Sequence, residues 1–422
     1  MIYVCTITLL ETDKVRTFTT LAVVTLVMPT DTAVVLAAGE GTRLRPLTRN
    51  RPKPMLPAGN RPILEYVLDA LIEAGIGRLC LVVGYKRSRV QEHFGPTYRD
   101  VPIEYVVQSK QLGSGHALQQ AEEKLDGSFV VVNGDRVIEP SIITDVLEAS
   151  KTDDAATLAV LERPAANRYG AVVMRDSTIV ELIEKPDDEY RLVNGGVYVF
   201  DQRIFAALSE TTRRSGSLLL TDAVDLLIYE ATVRGVRTEG LWADATYPWD
   251  LLTVSRALLE RGLIDGDHPE TDVWVSERAI INENATLQPP VVIGPDCELG
   301  PGAVVGPNVA LGQNVTIGAN TTVESSVIDT DTRIGAGSTL LDCVTGQDVK
   351  LGAGTVVPGG PADVQINESL FRDEHLGAVF ADRVQSGGGV RCKPGALVGT
   401  NARIGTGVVV DGHIPERSEV VR

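Results

Sequence analysis

The sequence predicts an α/β domain with a mostly parallel sheet, followed by a left-handed parallel β-helix. Three observations carry this. From Asp31 to about Ala257, short β-branched runs alternate with helix-period segments. A polar breaker, Asp265-Gly266-Asp267-His268-Pro269, then interrupts the chain. Beyond it glycine recurs every six residues, at Gly294, Gly300, Gly306, Gly312 and Gly318.

The strand signals in the first part are Ala33–Leu36, Leu79–Val83, Ile103–Val107, Phe129–Val132 and Ala156–Leu161. Segments such as Ile63–Ala74 and Gly115–Lys124 have helical period and separate them. Alternation of this kind implies a sheet with helices on both faces, and ligands bind such sheets outside the carboxyl ends of the strands. In the second part each repeating glycine follows an aliphatic residue: Ile293, Leu299, Val305, Leu311, Ile317. A small or β-branched residue lies four positions after each aliphatic. Hexapeptide repetition builds a parallel β-helix, with aliphatic ladders inside and glycine expected at the corners. The period resumes at Ile334-Gly335 and Leu351-Gly352, breaks from about Pro358 to Pro394, and is expected to rejoin near Leu397. These signals divide the chain into an N-terminal extension (1–27), an α/β domain (28–257), a linker (258–276) and the β-helix (277–422). Met28 directly precedes the first strand signal and reads as the start of the protein, with residues 1–27 arising from a start codon called too early.

The formal net charge of −17 argues against a nucleic acid or an anionic membrane as the main partner. Only nine of the 39 basic residues are lysine, a balance suited to a high-salt cytoplasm. The five cysteines have no metal-ligand or disulfide-framework spacing, which fits a reducing cytoplasmic compartment. The apolar segment Thr20–Val27 is too short to span a membrane and lacks the features of a signal peptide.

The chemistry concentrates after the first strand, in Leu36-Ala37-Ala38-Gly39-Glu40-Gly41-Thr42-Arg43-Leu44-Arg45-Pro46-Leu47-Thr48. Gly39 and Gly41 let the backbone approach a ligand and aim amides at it. A bare G-x-G is also an ordinary βα turn. The third glycine of a dinucleotide fingerprint is replaced by Leu44, which argues against such a site. Arg43, and Lys53 in Arg51-Pro52-Lys53-Pro54-Met55-Leu56-Pro57, add two cations to a loop stiffened by four prolines between Pro46 and Pro57. That combination suits a triphosphate.

The run G-x-G-T-R-L-R-P-L-T followed by P-K-P-M-L resembles the signature of sugar-1-phosphate nucleotidylyltransferases, which join a sugar 1-phosphate to UTP or dTTP. The resemblance implies a Rossmann-like nucleotidyltransferase domain in which Arg43 and Lys53 hold the triphosphate and act on the α-phosphate. It implies nucleotide contacts at Leu36, Ala38, Gly39, Gly41, Thr42, Gln108, Gly113 and Ser114. The stretch Gln108–Ala117 is similar to the uracil-binding segment of the bifunctional N-acetylglucosamine-1-phosphate uridylyltransferases, with Gln108 and Gly113 on the base. His116 lies within the helix opening and the attacking phosphate is already ionised, so it is not read as a catalytic base. Asp135, at a strand end, matches the family's magnesium-binding aspartate. Asp244, in Trp242–Leu251, matches a second, although Thr246 stands where glycine is usual. Asp250 is read as a helix cap. Gly170, Glu184, Lys185 and Asn194 match sugar-contacting segments, with Asp222 a weaker candidate. No side-chain nucleophile is needed, because the anomeric phosphate oxygen attacks the α-phosphorus directly.

The β-helix admits three roles. Bifunctional relatives use such a coil for acetyl transfer to glucosamine 1-phosphate from acetyl-CoA. The histidine of that segment has no counterpart in Ile334–Val357, and the coil holds only His375 and His413. An assembly or regulatory module, usually a homotrimer, is the favoured expectation. A non-catalytic subunit would have lost the phosphate and metal residues, and Arg43, Lys53, Asp135 and Asp244 are all present.

Overall fold

In the computed structural model, residues 30–163, 170–184, 190–264 and 271–421 are described, without the side chain of Glu184. The proposed extension and start at Met28, Lys185 and the breaker at 265–270 lie outside them. Among the described residues no helix is long and apolar enough to cross a membrane.

Thr32–Ala37 runs through the middle of a ten-stranded sheet. It is parallel to Arg78–Val83 on one side and Phe129–Asn133 on the other, and Arg78–Val83 is parallel to Val101–Val107. Alternate residues of the central strands feed opposite faces. Ala33, Val35, Leu79 and Leu81 enter one core, while Val34, Cys80 and Val82 enter the other. A parallel sheet covered on both faces needs such continuous apolar runs, which is why these segments read so clearly. Beyond Phe129–Asn133 the sheet turns largely antiparallel. Leu192–Phe200 pairs antiparallel with Phe129–Asn133 and with Ala156–Glu162, and Gly170–Arg175 and Thr178–Glu184 form a hairpin at the edge. The expected helix over Gly115–Lys124 is shorter, covering Ser114–Gln119 and then a separate turn at Glu122–Lys124.

The second part stacks into three parallel sheets of short strands, consistent with a left-handed parallel β-helix. Val291 pairs with Val309 and Leu299 with Ile317, one coil being three hexads. One expectation about the coil needs correcting. The interruption is shorter than the broken period suggests. It is a hairpin of Ala362–Ile366 and Ser369–Glu374, and the coil resumes at Ala378–Phe380. The strands Gln385–Ser386 and Arg391–Cys392 belong to the coil although they lack the aliphatic–glycine pair, because Ser and Cys are small enough for the narrow interior. The repeating glycines do open the corners, each directly after its strand. At Gly294, Gly312 and Gly318 an added Cβ would lie 2.5–2.9 Å from backbone of the next coil, so these glycines permit close stacking. The left-handed backbone falls two residues later, at Asp296, Asn314 and Asn320, types that tolerate it.

The two parts share a seam. The helix Pro248–Glu260 packs on the coil strands Val327–Ile328 and Cys343–Thr345, and its Leu251 and Leu258 share one apolar cluster with Val292, Ala310, Val327 and Val344, a ladder on the outside of the coil. The inserted hairpin reaches the same helix, where Phe371 packs on Tyr247 and Trp249 at ring separations of 4.5 and 5.3 Å.

Candidate active site

Parallel strands deliver their carboxyl ends to one edge, and the candidate residues follow from that. Thr32–Ala37 leads into the glycine loop, Val101–Val107 into Gln108, and Phe129–Asn133 into Asp135. Asp244 arrives differently. Its strand Trp242–Asp244 pairs antiparallel with Arg136–Ile138 and sets Asp244 opposite Arg136, beside Asp135. These ends enclose a cleft of about 570 Å³. Leu36, Ala38, Gly39, Gly41, Thr42, Arg43, Lys53, Gln108, Gly113, Ser114, Asp135 and Asp244 all line it.

Within the loop, Gly41 has φ +63° and a Cβ there would lie 2.9 Å from Cβ of Lys53. Glycine therefore lets the two halves of the glycine loop close on each other. The Gly41 carbonyl accepts from the Leu44 amide (3.0 Å) and from Thr48 Oγ1 (2.8 Å). The space around a Cβ at Gly39 is open. Arg43 stands on the short turn Thr42–Leu44, exposed at the cleft.

Lys53 Nζ lies 2.8 Å from Asp135 Oδ2 and 2.9 Å from Asp244 Oδ1. The Lys53 side chain is 12% exposed, that of Asp244 9% and that of Asp135 34%. Burial alone would favour neutral lysine, but the two carboxylates outweigh it and hold the ammonium pKa above its ordinary value. For Asp244, burial pushes the pKa up. Lys53, Arg136 and a hydrogen bond from Thr246 overcome this and hold it below the usual carboxylate range. Thr246 Oγ1 donates to Asp244 Oδ2 at 2.8 Å, so the departure from glycine supplies a hydrogen bond to the carboxylate. Asp250 accepts from the Thr246 and Tyr247 amides at 2.8 and 2.7 Å, the capping role expected of it.

Two carboxylates converging on one cation form a hard-oxygen donor set, suited to a divalent ion that keeps several waters or phosphate oxygens. Among the described residues no cluster of three or more potential ligands occurs, so Asp135 and Asp244 would need ligands from substrate and solvent.

Another wall of the cleft is built around Gln108, 3% exposed. Its Nε2 donates to the Gly113 carbonyl (3.0 Å) and faces His116 Nδ1 (2.9 Å). Burial and Arg213 depress the His116 pKa, so the ring is neutral near pH 7 and its Nδ1 can accept. His116 thus orients Gln108. Gly113 has φ +102°, and a Cβ there would lie 2.2 Å from the Leu218 carbonyl oxygen. Gly113→Ala is expected to push apart the 108–114 and 217–220 segments. Strain of about 1–3 kcal/mol should follow, with a rise of roughly tenfold in the nucleotide KM, measurable by thermal melts and initial rates.

The sugar candidates are not gathered in this cleft. Gly170 and Asn194 line a separate cavity of about 30 Å³ with Asp222, too small for a hexose. Asn194 is buried, its Nδ2 donating to the Tyr198 hydroxyl (2.8 Å) and its Oδ1 accepting from Gly196 N (2.9 Å). Glu184 ends the strand Thr178–Glu184, and Lys185 lies outside the described residues. The cleft also holds Gln111, Asn133, Arg136, Ser217 and Thr246, which sequence reasoning did not assign to it. Arg136 immediately follows Asp135, and that adjacency was a usable signal. Ser217 had none, since a long-range fold contact brings it in.

The Nucleotidyl transferase family matches residues 32–261, and the family described as GMPPB C-terminal domain matches residues 287–414. A protein named Bifunctional protein GlmU, from Methanococcus maripaludis, is 33% identical over 409 residues, covering 92% of this chain and 97% of its own length. The UTP–glucose-1-phosphate uridylyltransferase AglF of Haloferax volcanii is 39% identical over 226 residues, 52% of this chain and 92% of its own. The structure of UDP-glucose pyrophosphorylase complexed with UDP-glucose superposes with a TM-score of 0.51 at 23% identity, covering 55% of this chain and 98% of its own, a likeness of fold. With a family match across more than half its length and a relative matched nearly end to end, this chain belongs to the nucleotidyl transferase family.

Proposed function

We propose that this enzyme transfers a nucleotidyl group from UTP or dTTP to a sugar 1-phosphate, giving a nucleotide sugar and pyrophosphate. The observation that carries the reading is Lys53, gripped between Asp135 and Asp244 on the wall of a glycine-loop cleft. Glucose 1-phosphate and N-acetylglucosamine 1-phosphate are the acceptors suggested by the relatives' names, and the AglF name favours UTP.

Two polyanions must meet for this reaction, so the protein's task is to position them and neutralise charge. Backbone at Gly39 and Gly41 and the Arg43 guanidinium would take the triphosphate. Lys53 would sit against the α-phosphate as charge builds there. Gln108, its amide nitrogen tied to Gly113 and His116, keeps its oxygen for a pyrimidine N–H. Nucleotidyltransferases of this family generally use a divalent metal. We take it to be magnesium held by Asp135 and Asp244, which requires the Lys53 ammonium now between them to shift, and when bound it would supply positive charge to the phosphate oxygens. Gly170, Glu184, Lys185 and Asn194 remain our candidates for the sugar side. For Gly170 and Asn194 this requires the small cavity beside Asp222 to open.

A pyrophosphate-release panel of four nucleoside triphosphates against several sugar 1-phosphates, with and without magnesium, tests the reading. Activity with UTP or dTTP and one sugar phosphate is expected, and release with ATP or GTP alone would refute it. His116→Ala should raise the nucleotide KM about 3- to 10-fold with little change in kcat, the loss of one supporting hydrogen bond. An equal fall in kcat would return His116 to the chemistry.

The end-to-end match to a protein named bifunctional favours a second reading, in which the coil also carries acetyl transfer. Thiol release from acetyl-CoA with glucosamine 1-phosphate would reveal it. We also take the coil as an assembly module forming a homotrimer, which sedimentation would test, and the compartment as cytoplasmic. The boundary at 258–276 is likewise our reading. The helix runs to Glu260 and the first coil strand, Val273–Val275, already pairs with Val291–Ile293, so these elements narrow that linker to 261–272.

A further inference from the structure

Arg51 precedes Lys53 by two residues, yet its side chain leaves the α/β domain altogether. It is 4% exposed and lies between two coil carboxylates, with Nη1 2.5 Å from Asp329 Oδ2 and Nη2 3.2 Å from Asp382 Oδ1. Each acid is fixed in turn. Asp329 Oδ1 accepts from the Thr330 amide at 2.7 Å, and Asp382 Oδ1 accepts from the Gln347 amide at 3.0 Å. Both acids are buried, at 6% and 4% exposure. A buried triad of charges is a poor way to gain stability, since apolar residues of similar volume do as well or better. What it provides is a fixed place for the guanidinium.

That place matters because only Pro52 separates Arg51 from Lys53. Pro52 fixes its own φ, and the turn Lys53–Met55 is closed by Met55 N to Pro52 O and Leu56 N to Lys53 O, each 3.0 Å. A displacement of Arg51 therefore passes to the Lys53 backbone with little slack and shifts the base from which its side chain reaches Asp135 and Asp244. Another seam ion pair, Arg49 with Glu416, is 3.4 Å long and exposed on both sides, and can set no such position.

We propose that Arg51 is a positioning residue through which the β-helix holds Lys53 in register with the reacting phosphate. The coil is then a working part of the active site and not only an assembly module. This rests on the nucleotidyl-transfer reading.

The test uses the full chain and four variants: Arg51→Lys, Asp329→Asn, Asp382→Asn and, as a seam control, Val364→Ala. Val364 is buried in the seam cluster on the inserted hairpin, whose next residues Gln365 and Ile366 adjoin Thr42 and Arg45, so it reports what loosening the seam beside the loop does without touching the charges. Turnover is expressed per folded molecule, with folding read from thermal melts at the assay temperature. The triad variants are expected to lose about 10- to 100-fold in kcat, as for a catalytic group misplaced by up to an ångström, while both substrate KM values change little. Val364→Ala should lower the melting temperature yet keep the wild-type kcat. If Arg51→Lys does not fold, the two asparagine variants decide, since each keeps one carboxylate on the guanidinium. Wild-type kcat in the folded asparagine variants would overturn the proposal and leave the triad as interdomain glue, as would a loss in Val364→Ala equal to theirs. An inactive wild type would instead sink the nucleotidyl-transfer reading.

Discussion

Lys53→Ala should lower pyrophosphate release by about 10²–10³-fold, the scale of losing one preorganised group that meets developing charge. Stability should fall as well. The substitution leaves Asp135 and Asp244 facing each other without the ammonium that both contact. Because Asp135 is about one-third exposed, water relieves part of the cost, and a loss of about 3 kcal/mol or less is expected. The pH dependence follows in sign. In the intact protein Asp244 has a depressed pKa, so its contribution to stability is complete above the ordinary aspartate value and disappears as pH falls through the depressed one. Without Lys53 the burial of Asp244 is opposed mainly by Arg136, and its pKa rises. The variant should therefore lose stability on acidification at a higher pH than the wild type. Paired melts between neutral pH and pH 3 would read this, and an unshifted acid limb would mean that Lys53 does not control Asp244.

Arg43→Ala is expected to match that kinetic loss, about 10²–10³-fold in kcat, with no loss of stability. The contrast is structural. Arg43 is exposed, lines the cleft, and makes no ion pair with any described residue. Its charge is held ready for a ligand by the turn Thr42–Leu44 and supports nothing in the free protein. Initial rates at saturating substrates, with melts as control, separate the two cations: Lys53 matters to both fold and rate, Arg43 to rate alone. Wild-type-like turnover in Arg43→Ala would remove it from the mechanism.

The gathering of these residues in one cleft was legible because they are local to strand ends. The glycine loop, Gln108 and Asp135 each follow a continuous apolar run, and parallel strands bring such points together. Asp244 was found by its motif, but the reason it reaches Asp135 is the pairing of Trp242–Asp244 with Arg136–Ile138, a contact between distant segments. The coil was legible from its hexads, yet its interruption was overestimated because Ser386 and Cys392 fill the interior where an aliphatic was expected. The seam left a trace that went unread. Val292, Ala310, Val327 and Val344 point outward and are apolar, where the corresponding outward residues Glu298, Thr316, Arg333 and Lys350 of the neighbouring face are polar. An apolar outer stripe on a β-helix marks a covered face. The Arg51 triad joins positions some 300 residues apart, and no local pattern announces it.

The most direct test of the whole account is pyrophosphate release by the purified full-length chain from UTP, with magnesium and a sugar 1-phosphate each added or withheld, alongside an Asp135→Ala/Asp244→Ala variant. The account predicts release only when nucleotide, metal and sugar phosphate are all present, and almost none from the double variant. Release that persists in the variant, or without a sugar phosphate, would contradict it.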